Sequence, residues 1–86
     1  MSVRMYDLRQ KEVINTANGC RYGFVCDLEL DPGDGKVLSL IVPGPGRVLG
    51  MFGRDQEYVI PWHNIEKLGD DIILVDCETD DVLINI

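Results

Sequence analysis

The sequence predicts an all-β domain curled into a small, partly open barrel of five to six short strands, with one helical turn near Trp62. Alternating apolar and polar residues from Cys20 to Asp31 show the period of two that belongs to a strand with one face on a core. Short runs rich in branched aliphatics are separated by Gly, Pro and Asp clusters, and no run carries the periodicity of a long amphipathic helix. At 86 residues and 9.7 kDa the chain makes one domain. A flat two-layer sandwich of that size leaves strand edges open, whereas curling protects them and encloses one core.

The elements follow in order. Asp7, with Gln10 three residues on, has the spacing of a capping box, so a short turn precedes a strand over Glu12 to Asn15. Cys20 to Asp31 reads as one long strand. Asp31-Pro32-Gly33-Asp34-Gly35 supplies a turn, because Pro fixes φ, Gly accepts positive φ and Asp bonds nearby backbone. Lys36 to Val42 is then the second arm of a hairpin. It is apolar on both faces except at Ser39, as a central strand covered on both sides requires. Pro43-Gly44-Pro45-Gly46 ends that strand and opens a loop. Glu57 to Ile60 forms a further strand that Pro61 closes. Trp62 to Ile65 suits a single helical turn. Ile65 to Leu68 and Ile72 to Val75 pair as a last hairpin through Gly69-Asp70-Asp71. The barrel spans residues 8–76, and residues 77–86 form an acidic C-terminal extension whose Val82 to Ile86 is either an added edge strand or a frayed tail.

Fifteen Asp and Glu against eight Lys and Arg give a net charge of −7, and the charge is not evenly spread. Residues 70–86 hold six carboxylates and no Lys or Arg, while the first 69 residues carry 8 basic against 9 acidic side chains. Direct nucleic-acid binding is not expected of such a chain, and least of all near its C-terminal end. No segment reaches the ~20 apolar residues of a membrane span and no leader pattern opens the chain, so a cytoplasmic location is expected. Three cysteines without a C-x-x-C pair argue against zinc or a redox couple. Cys20 and Cys26, six apart in one strand, would sit roughly 20 Å apart, beyond disulfide reach. They are expected reduced and mostly buried. Acidic neighbours raise the Cys77 thiol pKa and lower its nucleophilicity.

The chemical motifs are thin. Asp27, Glu29 and Asp31 put three carboxylates on one strand face, which makes them weak candidates for a hard divalent cation. The EF-hand template fails there, with Pro32 where Gly is required and Leu38 where a bidentate Glu is required. Alternate residues on a strand are also about 6.6 Å apart, so a solvated face is the better reading. His63 is the single histidine, with no patterned nucleophile or carboxylate to serve it. Trp62 is expected to cap the barrel, its indole N–H meeting a carbonyl. The glycines of Gly44-x-Gly46-x-x-x-Gly50 miss the phosphate-loop spacing and open no helix. That loop stands out for another reason: Val48, Leu49, Met51 and Phe52 are large and apolar, and Arg47 and Arg54 flank them. Either these side chains fold back over the barrel mouth or they form an apolar patch, basic at its rim, that a partner buries.

The run from Gly53-Arg54-Asp55-Gln56-Glu57-Tyr58-Val59-Ile60-Pro61-Trp62 to Asp70-Asp71-Ile72-Ile73-Leu74-Val75-Asp76 resembles the C-terminal half of PRC-barrel proteins of the YlmC/YmxH group. Leu8 to Val42 fits the first half, through Val13-Ile14-Asn15, Gly23 before Asp27, and the apolar arm ending at Pro43. The resemblance implies a small β-barrel of the type found in the H subunit of photosynthetic reaction centres and in the ribosome maturation factor RimM, where it serves as a docking module without catalytic residues. It also implies an association with sporulation in endospore-forming Firmicutes. The acidic extension after Asp76 departs from the pattern.

The expectation is a non-enzymatic protein-protein interaction module without a cofactor. It self-associates, most simply as a dimer, and it has an unidentified protein partner. Arg47, Val48, Leu49, Met51, Phe52 and Arg54 are its contact residues. The alternatives are a ribosome- or RNA-processing factor acting through a protein, and a divalent-metal protein using Asp27, Glu29 and Asp31.

Overall fold

The computed structural model describes residues 2–45 and 56–85. Within them eight strands form two four-stranded sheets. Strands β1 (Glu12–Asn15), β2 (Arg21–Phe24), β6 (Ile65–Leu68) and β7 (Ile72–Val75) make the first sheet, in the order β2-β1-β7-β6. Strands β3 (Asp27–Leu30), β4 (Val37–Pro43), β5 (Gln56–Pro61) and β8 (Leu83–Asn85) make the second, in the order β3-β4-β5-β8. Neighbours are antiparallel except β1 and β7, which run parallel. Among the described residues the two sheets do not close into a continuous barrel.

The core lies between them. Val13, Tyr22, Ile73 and Val75 come from the first sheet and Leu40, Val42, Tyr58 and Ile60 from the second. Leu8, Val25, Cys77 and Val82 complete it. As expected, β4 is central and has consecutive buried residues, Ser39 to Val42. The Ile65–Leu68 and Ile72–Val75 hairpin and the 3-10 turn Trp62–Asn64 also stand where the sequence puts them.

Three features differ. The run from Cys20 to Asp31 is not one strand: it turns a corner at Val25 and Cys26 and passes from the first sheet to the second. Tyr22 faces the core before the corner and Leu28 packs on it afterwards, so the period of two keeps its phase across the bend. The odd-numbered Val25, buried at the corner, is the sign of the turn. Gly23 at φ 110° eases the chain into it, and its Cα side faces Val42 on β4 across the core. Second, Cys20 and Cys26 are exposed, because one precedes β2 and the other sits on the corner, while Cys77 is the buried thiol. Third, a single helical turn α2 (Thr79–Val82) buries Val82, and of the two alternatives for Val82 to Ile86 the added edge strand holds, with β8 paired to β5. The split strand and this added one raise the count from five or six to eight.

At the N-terminus a single turn α1 (Met5–Leu8) begins earlier than the capping motif suggests. Asp7 is its third residue and not its cap, and its carboxylate accepts the Arg4 backbone N–H at 3.2 Å. Lys11 then anchors this end to the β6–β7 turn, with Nζ donating to the carbonyls of Gly69 and Asp70.

Candidate functional site

The loop between β4 and β5 is held at its base by a close backbone approach. The Gly44 N–H donates to the Gln56 carbonyl at 3.0 Å, and a Cβ at Gly44 would lie 2.8 Å from the carbonyl carbon and oxygen of Gln56. Only glycine fits there. Gln56 is tied in turn to the edge strand, since its side-chain amide donates to Asn85 Oδ1 at 3.2 Å. The six residues singled out for contact, Arg47, Val48, Leu49, Met51, Phe52 and Arg54, lie outside the described residues.

At the opposite end of the β4–β5 pair the described surface shows its own apolar group. Ser39 stands across from Glu29 on one side and Pro61 on the other, and the β3–β4 register slips at the next position, where Leu30 pairs with Val37. Leu38 is therefore the extra residue of a bulge. Leu30 and Leu38 share the parity of Leu28 and Leu40, which reach the core, but they run past its end and are 55% and 50% exposed. Trp62 follows Pro61 and neighbours Leu38 across the strand ends, 39% exposed. Its indole makes no hydrogen bond among the described residues, so the expected carbonyl partner is not found there.

Sequence reasoning missed the polar centre of the molecule, Asn15. Its side chain is fully buried, and it donates to the Tyr22 hydroxyl and to the Cys77 carbonyl, both at 2.8 Å. Its Oδ1 accepts the N–H groups of Ala17 at 3.0 Å and Cys77 at 3.3 Å. Thr79 extends the chain: its hydroxyl shares a 2.5 Å hydrogen bond with Tyr22 and accepts from Asn18 Nδ2 at 3.1 Å. The Tyr22 ring packs on Tyr58 with centroids 4.3 Å apart. This network pins the C-terminal segment across the end of β1. The signal was present in the sequence, since Asn15 shares the core-facing parity of Val13.

Burial chiefly pushes the Cys77 thiol up. A hydrogen bond with Tyr22 opposes the shift, and Asp76, Glu78 and Asp81 add to it. The acidic neighbours are thus the smaller cause. Among the described residues no buried side-chain nitrogen or oxygen lacks a hydrogen-bond partner. No three His, Cys, Asp or Glu side chains converge among them as a metal would need. Asp27 and Asp31 spend carboxylate oxygens on nearby backbone, on the N–H groups of Leu28 and Gly33, and Glu29 is exposed beside them. His63 is exposed on the 3-10 turn. No described helix is long and apolar enough to cross a membrane.

The PRC-barrel domain model matches residues 1–82, nearly the whole chain and both sheets of the core. The chain belongs to the PRC-barrel domain family. It is 41% identical over 73 residues to the probable sporulation protein YlmC of Bacillus subtilis (strain 168), a match that covers 85% of this chain and 90% of the relative. It is 30% identical over 76 residues to the uncharacterized protein YmxH of the same strain, covering 86% and 88%. An uncharacterized protein of Clostridium acetobutylicum is 38% identical over 68 residues, covering 79% and 77%. The sequence resemblance to the YlmC/YmxH group therefore holds across the barrel.

Proposed function

We propose that this PRC-barrel protein is a non-enzymatic interaction module that works in the cytoplasm during sporulation, self-associates, and binds a protein partner through the loop from Gly44 to Arg54. The observation that carries this reading is the composition of that loop: four large apolar residues between two arginines, in a connection where polar residues are the rule. Arginine, methionine and aromatic side chains are the ones that interface cores favour. The pinched base at Gly44 and Gln56 supports it, because a loop with fixed ends loses less freedom on binding. The sporulation context comes from the similarity to YlmC. The non-enzymatic part is supported by the buried Asn15 and by the Tyr22 and Thr79 hydroxyls, whose polar atoms are engaged in holding the fold together.

The test is an affinity capture from sporulating cells, with the tagged wild-type chain and the Leu49→Ser/Phe52→Ser variant as paired baits. The reading expects a specific partner that the variant loses while its circular dichroism and melting stay unchanged. Equal recovery on both baits contradicts it.

A further inference from the structure

We propose that the loop of one copy is received by the apolar row Leu30, Leu38 and Trp62 of a second copy, and that two such contacts close an antiparallel dimer. The proposal rests on the reading above, that the loop mediates self-association, and supplies its other half.

The row has the right chemistry for that occupant. Leu30, Leu38 and Trp62 are half-exposed large side chains gathered at the ends of three adjacent strands. Around them stand Glu29, Asp31 and Asp34, with Lys36 as the cation of the β3–β4 turn, so this tip is net negative. The loop from Arg47 to Arg54 offers the complement, apolar in the middle and positive at both ends. Opposite charges at the rim set orientation, and the apolar centre supplies affinity.

Topology then fixes the symmetry. The loop leaves the end of β4 and returns at the start of β5, whereas the row lies at the start of β4 and the end of β5. The base of the loop and the row lie at opposite ends of β4, whose seven residues span about 23 Å. Two copies laid side by side in opposite directions bring each loop to the other's row, which closes a two-fold dimer. Copies laid in the same sense would leave one loop and one row unused and propagate a chain. A stable interface covers about 800 Å² on each partner, roughly a seventh of the 5849 Å² surface of this protein. Three side chains alone fall short of that area, so the doubled contact binds more tightly than a single one.

Complementation of two defective full-length chains tests this by sedimentation velocity. The wild-type chain is expected to be a dimer. Leu38→Glu breaks the row and Leu49→Ser/Phe52→Ser breaks the loop, and each alone is expected to sediment as a monomer with the circular dichroism spectrum of the folded wild type and a cooperative melt. Leu30→Glu provides a second row variant should Leu38→Glu melt early. Mixed together, the two defective chains retain one intact loop facing one intact row, and they are expected to form a mixed dimer weaker than the wild type. A row variant that stays dimeric while the loop variant dissociates overturns this proposal and leaves the loop reading in place. A mixture that remains monomeric at the highest concentration reached also overturns it. A wild-type chain that is monomeric throughout removes self-association and this proposal together.

Discussion

Replacing Asn15 with alanine should unseat the C-terminal segment and lower the stability of the whole domain. The side chain makes two donated and two accepted hydrogen bonds, and it is fully buried. Each buried hydrogen bond contributes about 0.5–1.5 kcal/mol net, and a buried group left without a partner costs about 1–3 kcal/mol. Four bonds are lost here, so a destabilisation of about 3–5 kcal/mol follows. A domain of this length has about 4–13 kcal/mol in total at the usual stability per residue. One kcal/mol moves the melting point of so small a domain by about 4–8 °C, so the midpoint should fall by at least about 12 °C. Tyr22→Phe keeps the ring packed on Tyr58 and removes only the hydroxyl that meets Asn15, Thr79 and the Cys77 thiol. It should cost about 1–2 kcal/mol. Hydrogen exchange at Cys77 to Val82 should rise in both variants, more than in β4. A fall of less than about 5 °C for Asn15→Ala, with exchange in that segment unchanged, would refute the reasoning.

Further expectations follow from the same geometry. Gly44→Ala forces a methyl group against the Gln56 backbone, and should destabilise by about 1–3 kcal/mol in a denaturant titration; a neutral result would mean that the loop base is not pinched. With a thiol reagent at mildly alkaline pH, Cys20 and Cys26 should react fast and Cys77 slowly, because burial raises its pKa and blocks access. Denaturant should bring all three to one rate; three equal rates in the native protein would contradict the burial of Cys77. Glu12 is held below the usual carboxylate range, first by its hydrogen bond from Arg21. Its contribution is therefore present above the unfolded pKa and is lost as pH falls through the lower folded pKa. Glu12→Gln should flatten the acid side of the stability profile, by less at high salt since Arg21 is largely exposed. An unchanged profile would show that the pair contributes nothing.

Local signals in the sequence located strands where their causes are local. Val13 and Asn15 bury one face of β1, the Gly69-Asp70-Asp71 turn sets the last hairpin, and Pro61 closes β5 ahead of the helical turn. The corner at Val25 and Cys26 was hidden because alternation resumes in phase after it, and periodicity cannot report which sheet a strand joins. The exposure of Cys26 was misread for the same reason, and that of Cys20 because the strand begins only at Arg21. Strand β8 stood in the sequence only as one of two alternatives, beside the acidic Glu78-Thr79-Asp80-Asp81 stretch, and it forms because Val82 enters the core and β5 offers an open edge. The apolar loop was visible from composition alone. The row at Leu30, Leu38 and Trp62 was not, since it depends on a register slip and on where the core ends.

The mass of the full-length chain in solution, followed by sedimentation equilibrium over a wide concentration range beside the Leu49→Ser/Phe52→Ser variant, tests the interaction role most directly. The account predicts a concentration-dependent dimer for the wild type and a folded monomer for the variant. A wild-type chain and a variant that show the same mass at every concentration would contradict it.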